Sequence, residues 1–302
     1  MLFWTEFFGS ISMILGGCVV GCVDDLGAFY YNPGRIAQIE KPAFVMFASV
    51  YEWKITKFED AFGESSDISK SDFGGYPSFV GGTFGIKKLN KHRFAYSYLQ
   101  RHRLDNSIGY RNDVDGDLFK EFEGEEFFSG SVDFNISQKE DWASLTWSYM
   151  INNILSCGVT ATAVIYEQAR RMQVTSQLLT PSPQVVSYRY DRNYSMDKYG
   201  FLSKIGFAAS LDRWNLGLTI TTPLANIFGD GNYGYEEFFS GNGLVEGVND
   251  DYTINRQSDI NSRVRSPWSL AVGGTYLFNK NKIHLSAEYF GKIPYYELMR
   301  TE

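Results

Sequence analysis

Three histidines and three cysteines in 302 residues leave little from which to build a catalytic or metal centre. His92, His102 and His284 sit in no G-x-S-x-G, H-E-x-x-H or C-x-x-C setting. A hydrolase would have to pair His102 with a serine from a distant loop. Cys18, Cys22 and Cys157 are too few and too scattered for a disulfide framework. Cys18 and Cys22 are four residues apart with no third ligand nearby, whereas zinc needs three or four. The expectation is therefore no enzyme, no cofactor and no metal. Bases are also scarce: 28 Lys and Arg face 35 Asp and Glu, and the net charge of −7 argues against a nucleic-acid partner. A mean hydropathy of −0.24 implies no helical membrane protein. The glycine-rich run 229–234 lacks the Gly-Lys-Ser/Thr of a phosphate loop.

Aromatic residues are abundant: 20 Tyr, 24 Phe and 6 Trp. They recur with period two, the mark of a strand with two unlike faces. Nine such segments are predicted, at 42–57, 76–87, 91–104, 140–150, 155–166, 201–211, 214–222, 266–278 and 283–290. In 140–150, Ala143, Leu145, Trp147 and Tyr149 oppose Ser144, Thr146 and Ser148. A soluble β-sandwich would bury its apolar face and cover the other with charge. Here the second face is mostly Gly, Ser, Thr and Ala, small enough to line a lumen. Strands of this length with aromatics near their ends match a bilayer-crossing strand. Short turns (88–90, 151–154, 212–213, 279–282) alternate with long polar loops (59–75, 112–139, 176–200, 223–261). The expectation is an all-β, antiparallel transmembrane β-barrel, each strand paired with its chain neighbour.

Ahead of these strands lies GGCVVGCVDDLGAFYYNPGRIA, residues 16–37. Its small residues permit close backbone packing. Asp24 and Asp25 suit a helix N-terminus, and Asn32-Pro33-Gly34 stops a short helix. Phe7 to Val23 is uncharged, like the apolar core of a signal peptide, and Leu15-Gly16-Gly17-Cys18 imitates a lipoprotein cleavage site. No Lys or Arg precedes the run, and Glu6 stands where bases belong. A plug is the better reading, and it implies that no export signal is present.

Gly16-Gly17, Asp24-Asp25 and Ala28-Phe29-Tyr30-Tyr31-Asn32-Pro33-Gly34 together resemble the N-terminal hatch of the FadL-like family. Its members are outer-membrane barrels that carry fatty acids and other hydrophobic compounds. They usually read Asn-Pro-Ala and then Gly-Leu-Ala, where this chain has Asn32-Pro33-Gly34-Arg35-Ile36-Ala37. Ser262–Tyr289, with Pro267 opening a strand, resembles the family's late strand pair. The resemblance implies a hatch over 1–41 and a barrel over 42–302. It also implies about fourteen strands, and since nine cannot close with both ends at the periplasm, the barrel is read as truncated at its C-terminus. It further implies passive uptake of hydrophobic molecules across the bacterial outer membrane, with outer-membrane lipid around the wall. A barrel of the same family serving as a secretion or assembly partner, without a small-molecule cargo, is the alternative.

The loops 59–75, 112–126 and 229–261 hold nineteen acids and three bases, which keep the mouth soluble. Asp113, Asp115 and Asp117 have the spacing of a calcium loop, but Leu118 replaces the required glycine. Glu125–Gly130 (EEFFSG) recurs as Glu236–Gly241. Phe127, Phe128, Phe238 and Phe239 are candidates for an apolar docking patch at the mouth. Arg93, Arg101 and Arg103 share the non-aromatic face of the third strand, and Lys204 the same face of the sixth. Buried cations need partners. Arg101, Arg103 and Lys204 are therefore candidates to pair with a ligand carboxylate, or with Asp24, Asp25 or Glu288. Asp24, Asp25, Asn32, Pro33 and Gly34 are the candidate gating residues.

Overall fold

The computed structural model describes residues 8–23, 25–39, 43–59, 68–86, 88–117, 123–182, 184–241 and 249–301. Asp24 lies outside them. Among the described residues twelve antiparallel strands form one sheet. Nine make a continuous wall: β1 (Phe44–Phe58), β2 (Ile68–Phe84), β3 (His92–Gly116), β4 (Glu126–Met150), β5 (Leu155–Leu179), β6 (Val185–Ser210), β7 (Trp214–Thr221), β11 (Ser269–Phe278) and β12 (Asn281–Phe290). No helix among the described residues is long and apolar enough to cross a membrane.

The nine wall strands coincide with the nine expected segments, but two expectations are corrected. Most of the supposed long loops are strand: β3, β4 and β5 each run 25 residues and β6 runs 26. Neighbour pairing also breaks after β7, which pairs with β11. The intervening β8 (Ala225–Phe228), β9 (Asp230–Ser240) and β10 (Asp251–Asn261) leave the path, β8 against the middle of β6 at Tyr199–Phe201, β9 against its upper half and β10 against β9.

The wall curls round the N-terminal segment. Helix α1 (Ser10–Ile14), helix α2 (Ala28–Tyr31) and a 3-10 helix (Pro33–Gln38) form a plug. The Asp25 carboxylate joins the first two, accepting from Ile11 N at 3.2 Å and Gly27 N at 2.8 Å. Asn32 ends α2 and caps the 3-10 helix by accepting from Gly34 N at 3.0 Å. Pro33 takes the first helical position, where no N–H is needed.

Four wall glycines let plug and wall meet backbone to backbone. Gly158 of β5 stands opposite Gly206 of β6, and Gly217 of β7 opposite Gly273 of β11. A Cβ on Gly158 would lie 2.5 Å from the Pro33 carbonyl oxygen, and one on Gly273 2.8 Å from Gly21 N. Hydroxyls complete the seat: Ser148 accepts from Ala37 N at 3.0 Å, and Thr219 donates to the Tyr31 carbonyl at 2.8 Å. Above this seat Phe79, Leu99, Trp142 and Val164 form one cross-strand row. They pack with Phe8 and Phe29 of the plug as the main buried core.

The two faces exchange character partway up. β4, β5 and β6 pair without a register shift, so parity holds along their whole length. In the lower half the outer face is apolar: Leu145 is 68% exposed, while its inner neighbour Thr146 is buried. Trp147, Val159, Phe201, Phe207 and Leu216 continue the exposed band. Inside, Ser144 bonds Thr162 and Thr146 bonds Thr160 across the strands. The outer band stops at a row of charge, Arg103–Lys139–Glu167–Asp197, each directly opposite the next on β3 to β6. Above that row the outer positions of β4 are Ser137, Asn135, Asp133, Ser131 and Ser129, and the inner ones Ile136, Phe134, Val132 and Phe128. Strand β6 does much the same, with Ser195, Asn193 and Asp191 on outer positions and Met196, Tyr194, Arg192, Tyr190 and Tyr188 on inner ones. At the far tip Phe127, Leu179 and Val185 form one exposed outer row.

Candidate functional site

Above the plug a cavity of about 50 Å³ lies inside the wall. Tyr30 and Tyr31 form its floor, Trp142, Leu202, Thr219 and Ala271 its sides, and Arg101, Lys204 and Glu288 its charges. In a second, smaller cluster Leu298 and Met299 pack on Tyr166, Met196 and Val264. The backbone of this segment is tied down by Arg263 N donating to the Leu298 carbonyl at 2.9 Å.

Lys204 reaches the cavity from an inner position of β6 and is 7% exposed. Its ammonium donates to the Tyr30 carbonyl at 2.7 Å and lies 4.0 Å from the Tyr30 ring centroid. The Trp142 ring is 5.5 Å away. Two aromatic faces and a carbonyl suit a cation, because ring quadrupoles attract positive charge most where water is excluded. An ammonium has three donors, and the Tyr30 carbonyl uses one.

Arg101 is the residue at which β3 bulges: Gln100 faces Asp141 and His102 faces Glu140, with Arg101 between them. The bulge turns Arg101 inward, where its guanidinium donates to both Glu140 oxygens at 2.9 Å and lies over Trp142. Trp142 Nε1 also donates to Glu140, at 2.8 Å. The same bulge corrects the placement of Arg103. One extra residue reverses the parity beyond it, so Arg103 stands opposite Lys139 in the outer charged row and is exposed. The structure therefore brings Arg101 and Lys204 together and excludes Arg103 from the cavity.

The two EEFFSG copies occupy strands, not loops. One opens β4 and the other ends β9. Ser129, Gln177, Ser187 and Ser240 form one cross-strand row, so the copies lie at the same height with β5 and β6 between them. Parity divides each phenylalanine pair. Phe128 and Phe239 face inward, Phe127 and Phe238 outward. Beside Phe239, the Glu237 carboxylate accepts from the Tyr188 and Tyr235 hydroxyls. The bond to Glu237 pushes the Tyr235 phenol up to about 12.

Of the candidate gating residues, Asn32 is the most heavily engaged. Fully buried, it donates through Nδ2 to the carbonyls of Val20 and Phe207, both at 3.0 Å. Among the described residues no group of three or more His, Cys, Asp and Glu side chains is placed to hold a metal. Cys22 instead lies 3.0 Å from His284 Nδ1, tying plug to β12. Sequence reasoning missed Glu140 and Tyr30 as partners of the two cations. Glu140 is the first residue of the expected segment 140–150, between Lys139 and Asp141, and Tyr30 contributes its backbone carbonyl, which no side-chain pattern reveals.

No family description matches the sequence, and no curated protein matches it. Among solved structures, a TodX ΔS2S3 mutant described as a monoaromatic hydrocarbon channel is 12% identical over 94% of this chain and 93% of that one, with a TM-score of 0.31. A Pseudomonas aeruginosa FadL homologue is 10% identical over 91% of this chain and 88% of that one, with a TM-score of 0.32. Values this low assign no function, and the reading below rests on the chain's own sequence and geometry.

Proposed function

We propose that this chain is the wall and plug of a FadL-like outer-membrane channel for passive uptake of hydrophobic compounds. The observation that carries the reading is the exchange of faces at the row Arg103–Lys139–Glu167–Asp197. Below the row, an apolar outer face suits contact with lipid and a polar inner face suits a plugged lumen. Above it, the inner face is rich in apolar and aromatic residues, with Arg170 lying over the Phe134 ring, a surface on which a water-poor cargo is held before entry. Phe128 and Phe239 belong to that surface. Burial of apolar cargo there contributes about 25 cal/mol per Å². No catalytic step is part of the proposal.

The cargo we infer is an amphiphile with an acidic head, such as a long-chain fatty acid. Arg101 already has Glu140, so Lys204 takes the head group, with Tyr30 and Trp142 beside it. A cavity of about 50 Å³ holds only a few waters. Passage of an acyl chain thus requires the plug at Asn32-Pro33-Gly34 to shift. The test is uptake of a labelled long-chain acid and of a neutral hydrocarbon by cells carrying Lys204→Met. A charge-assisted hydrogen bond contributes about 1.5–3 kcal/mol, so acid uptake should fall about tenfold or more while hydrocarbon uptake stays within about twofold. Equal loss of both removes the head-group role. Normal uptake of both in cells lacking the protein leaves the assembly-partner reading in its place.

A further inference from the structure

The outer face above the charged row carries a groove of about 330 Å³. Arg171, Arg189 and Arg256 converge on it, with Asp191 and Glu236 as the acids among its lining residues. Gly234 stands in the floor between Asn193 and Arg256, with no side chain of its own, and the Asn193 amide lies over it, 2.8 Å from where a Cβ would fall. The cations are unequally satisfied. Arg171 binds Asp191 through Nε and a terminal nitrogen. Arg189 approaches the same carboxylate only at 3.6 Å, and its buried Nε has no hydrogen-bond partner among the described residues. Arg256 meets Glu236 through one nitrogen at 3.2 Å and is 71% exposed. Three guanidinium groups against two carboxylates leave one positive charge in excess, with unused donors on Arg189 and Arg256.

Position adds a second argument. Arg171 lies four residues beyond Glu167 of the charged row on the same outer face. At about 3.3 Å per residue on a tilted strand this is on the order of 10 Å above the end of the apolar band. Lipid head groups occupy that layer, outside a hydrocarbon core about 30 Å thick. Paired guanidinium groups match the oxygens of a phosphate bidentately.

We propose that this groove binds the phosphate of an outer-leaflet lipid head group, fixing the upper wall at the membrane surface. The proposal rests on the membrane reading above. Arg189 and Arg256 supply the donors. Arg171 keeps Asp191 occupied, so that carboxylate does not repel the phosphate.

The test uses the full chain extracted from outer membranes in mild detergent, with bound lipid measured by native mass spectrometry and phosphorus content. The double variant Arg189→Gln with Arg256→Gln preserves the Arg171–Asp191 pair. It should lose bound phosphorylated lipid by about fivefold or more, while Arg111→Gln, an outer-face residue paired only with its neighbour Asp113, retains it. Retention of the lipid by the double variant with unchanged heat-modifiable mobility overturns the proposal. So does displacement of the lipid by millimolar inorganic phosphate, since the groove would then read free phosphate. A chain that does not fractionate with membranes overturns the membrane reading itself, a result distinct from a membrane protein that carries no lipid.

Discussion

Gly206 and Asn32 claim the same space: a Cβ added to the glycine would fall on the Asn32 side-chain oxygen and 2.7 Å from Pro33. The seat of the plug is thus cut to fit backbone, and a larger residue there cannot be absorbed by rotation. Gly206→Val should destabilise the fold by about 1–3 kcal/mol, the usual range for overpacking. In a background with Cys18 and Cys157 changed to serine, it should also expose buried Cys22 to a maleimide. Gly274→Ala is the control, because its Cβ would meet only Leu216 at an ordinary 3.4 Å. Equal labelling of Cys22 in both variants would refute the tight seat.

Asn32 is both donor and acceptor, and the two roles separate by substitution. Asn32→Ala removes a donor from each of the Val20 and Phe207 carbonyls, at a cost of about 1–3 kcal/mol. Asn32→Asp keeps the acceptor for Gly34 N but turns a carboxylate toward those two carbonyl oxygens in a buried site. The aspartate should therefore be the less stable variant. Thermal or denaturant midpoints of the two proteins decide the order, and an aspartate variant as stable as wild type would place the donors outside the stabilising contacts.

Arg101 and Glu140 are almost enclosed, with side chains 17% and 10% exposed. Arg101→Met strands the carboxylate and should cost about 3–5 kcal/mol, as for other broken buried pairs. Adding Glu140→Leu should restore most of that loss, since the Trp142 indole then loses a single acceptor. A double variant no better than Arg101→Met would show that the stacking of Arg101 on Trp142, not its charge, holds β3 and β4 together here.

How much of this was legible in the sequence depends on which half of the wall is considered. In the lower half, alternation of residues such as Leu145 and Trp147 with Ser144 and Thr146 marks the strands and their two unlike faces, while which face turns inward is seen only in the structure, where Thr146 is buried and Leu145 exposed. In the upper half the alternation persists with its sense reversed. There Phe134 and Ile136 take the parity that Ser144 and Ser148 hold below, and Asp133 and Asn135 take that of Leu145. Scattered charge on strands such as β4 and β6 therefore read as loop. The displacement of Arg103 was not legible, because a one-residue bulge at Arg101 reverses a face without any compositional mark. The departure of β8–β10 from the wall depends on pairing between β7 and β11, separated by nearly fifty residues, which local pattern does not encode.

The upper extension should respond to acid through Asp191. Burial alone would raise this carboxyl; hydrogen bonds from Arg171 and Asn193, with the nearby charges of Arg171 and Arg189, outweigh it and hold the group below the usual carboxylate range. A depressed folded value means that the ionised form contributes stability above the unfolded pKa of about 3.9, and that this contribution disappears as pH falls through the folded value. Amide exchange in residues 187–196 and in β9 should therefore be flat from neutral pH to about pH 4 and accelerate below it. Asp191→Asn should abolish the acid step, because the amide carries no charge to lose, and should leave Arg171 less well held at every pH. The lower wall, where among the described residues no such ion pair joins β5 to β6, should show no step over the same interval. An acid step that survives Asp191→Asn would assign it to another carboxylate and overturn this account of the upper sheet.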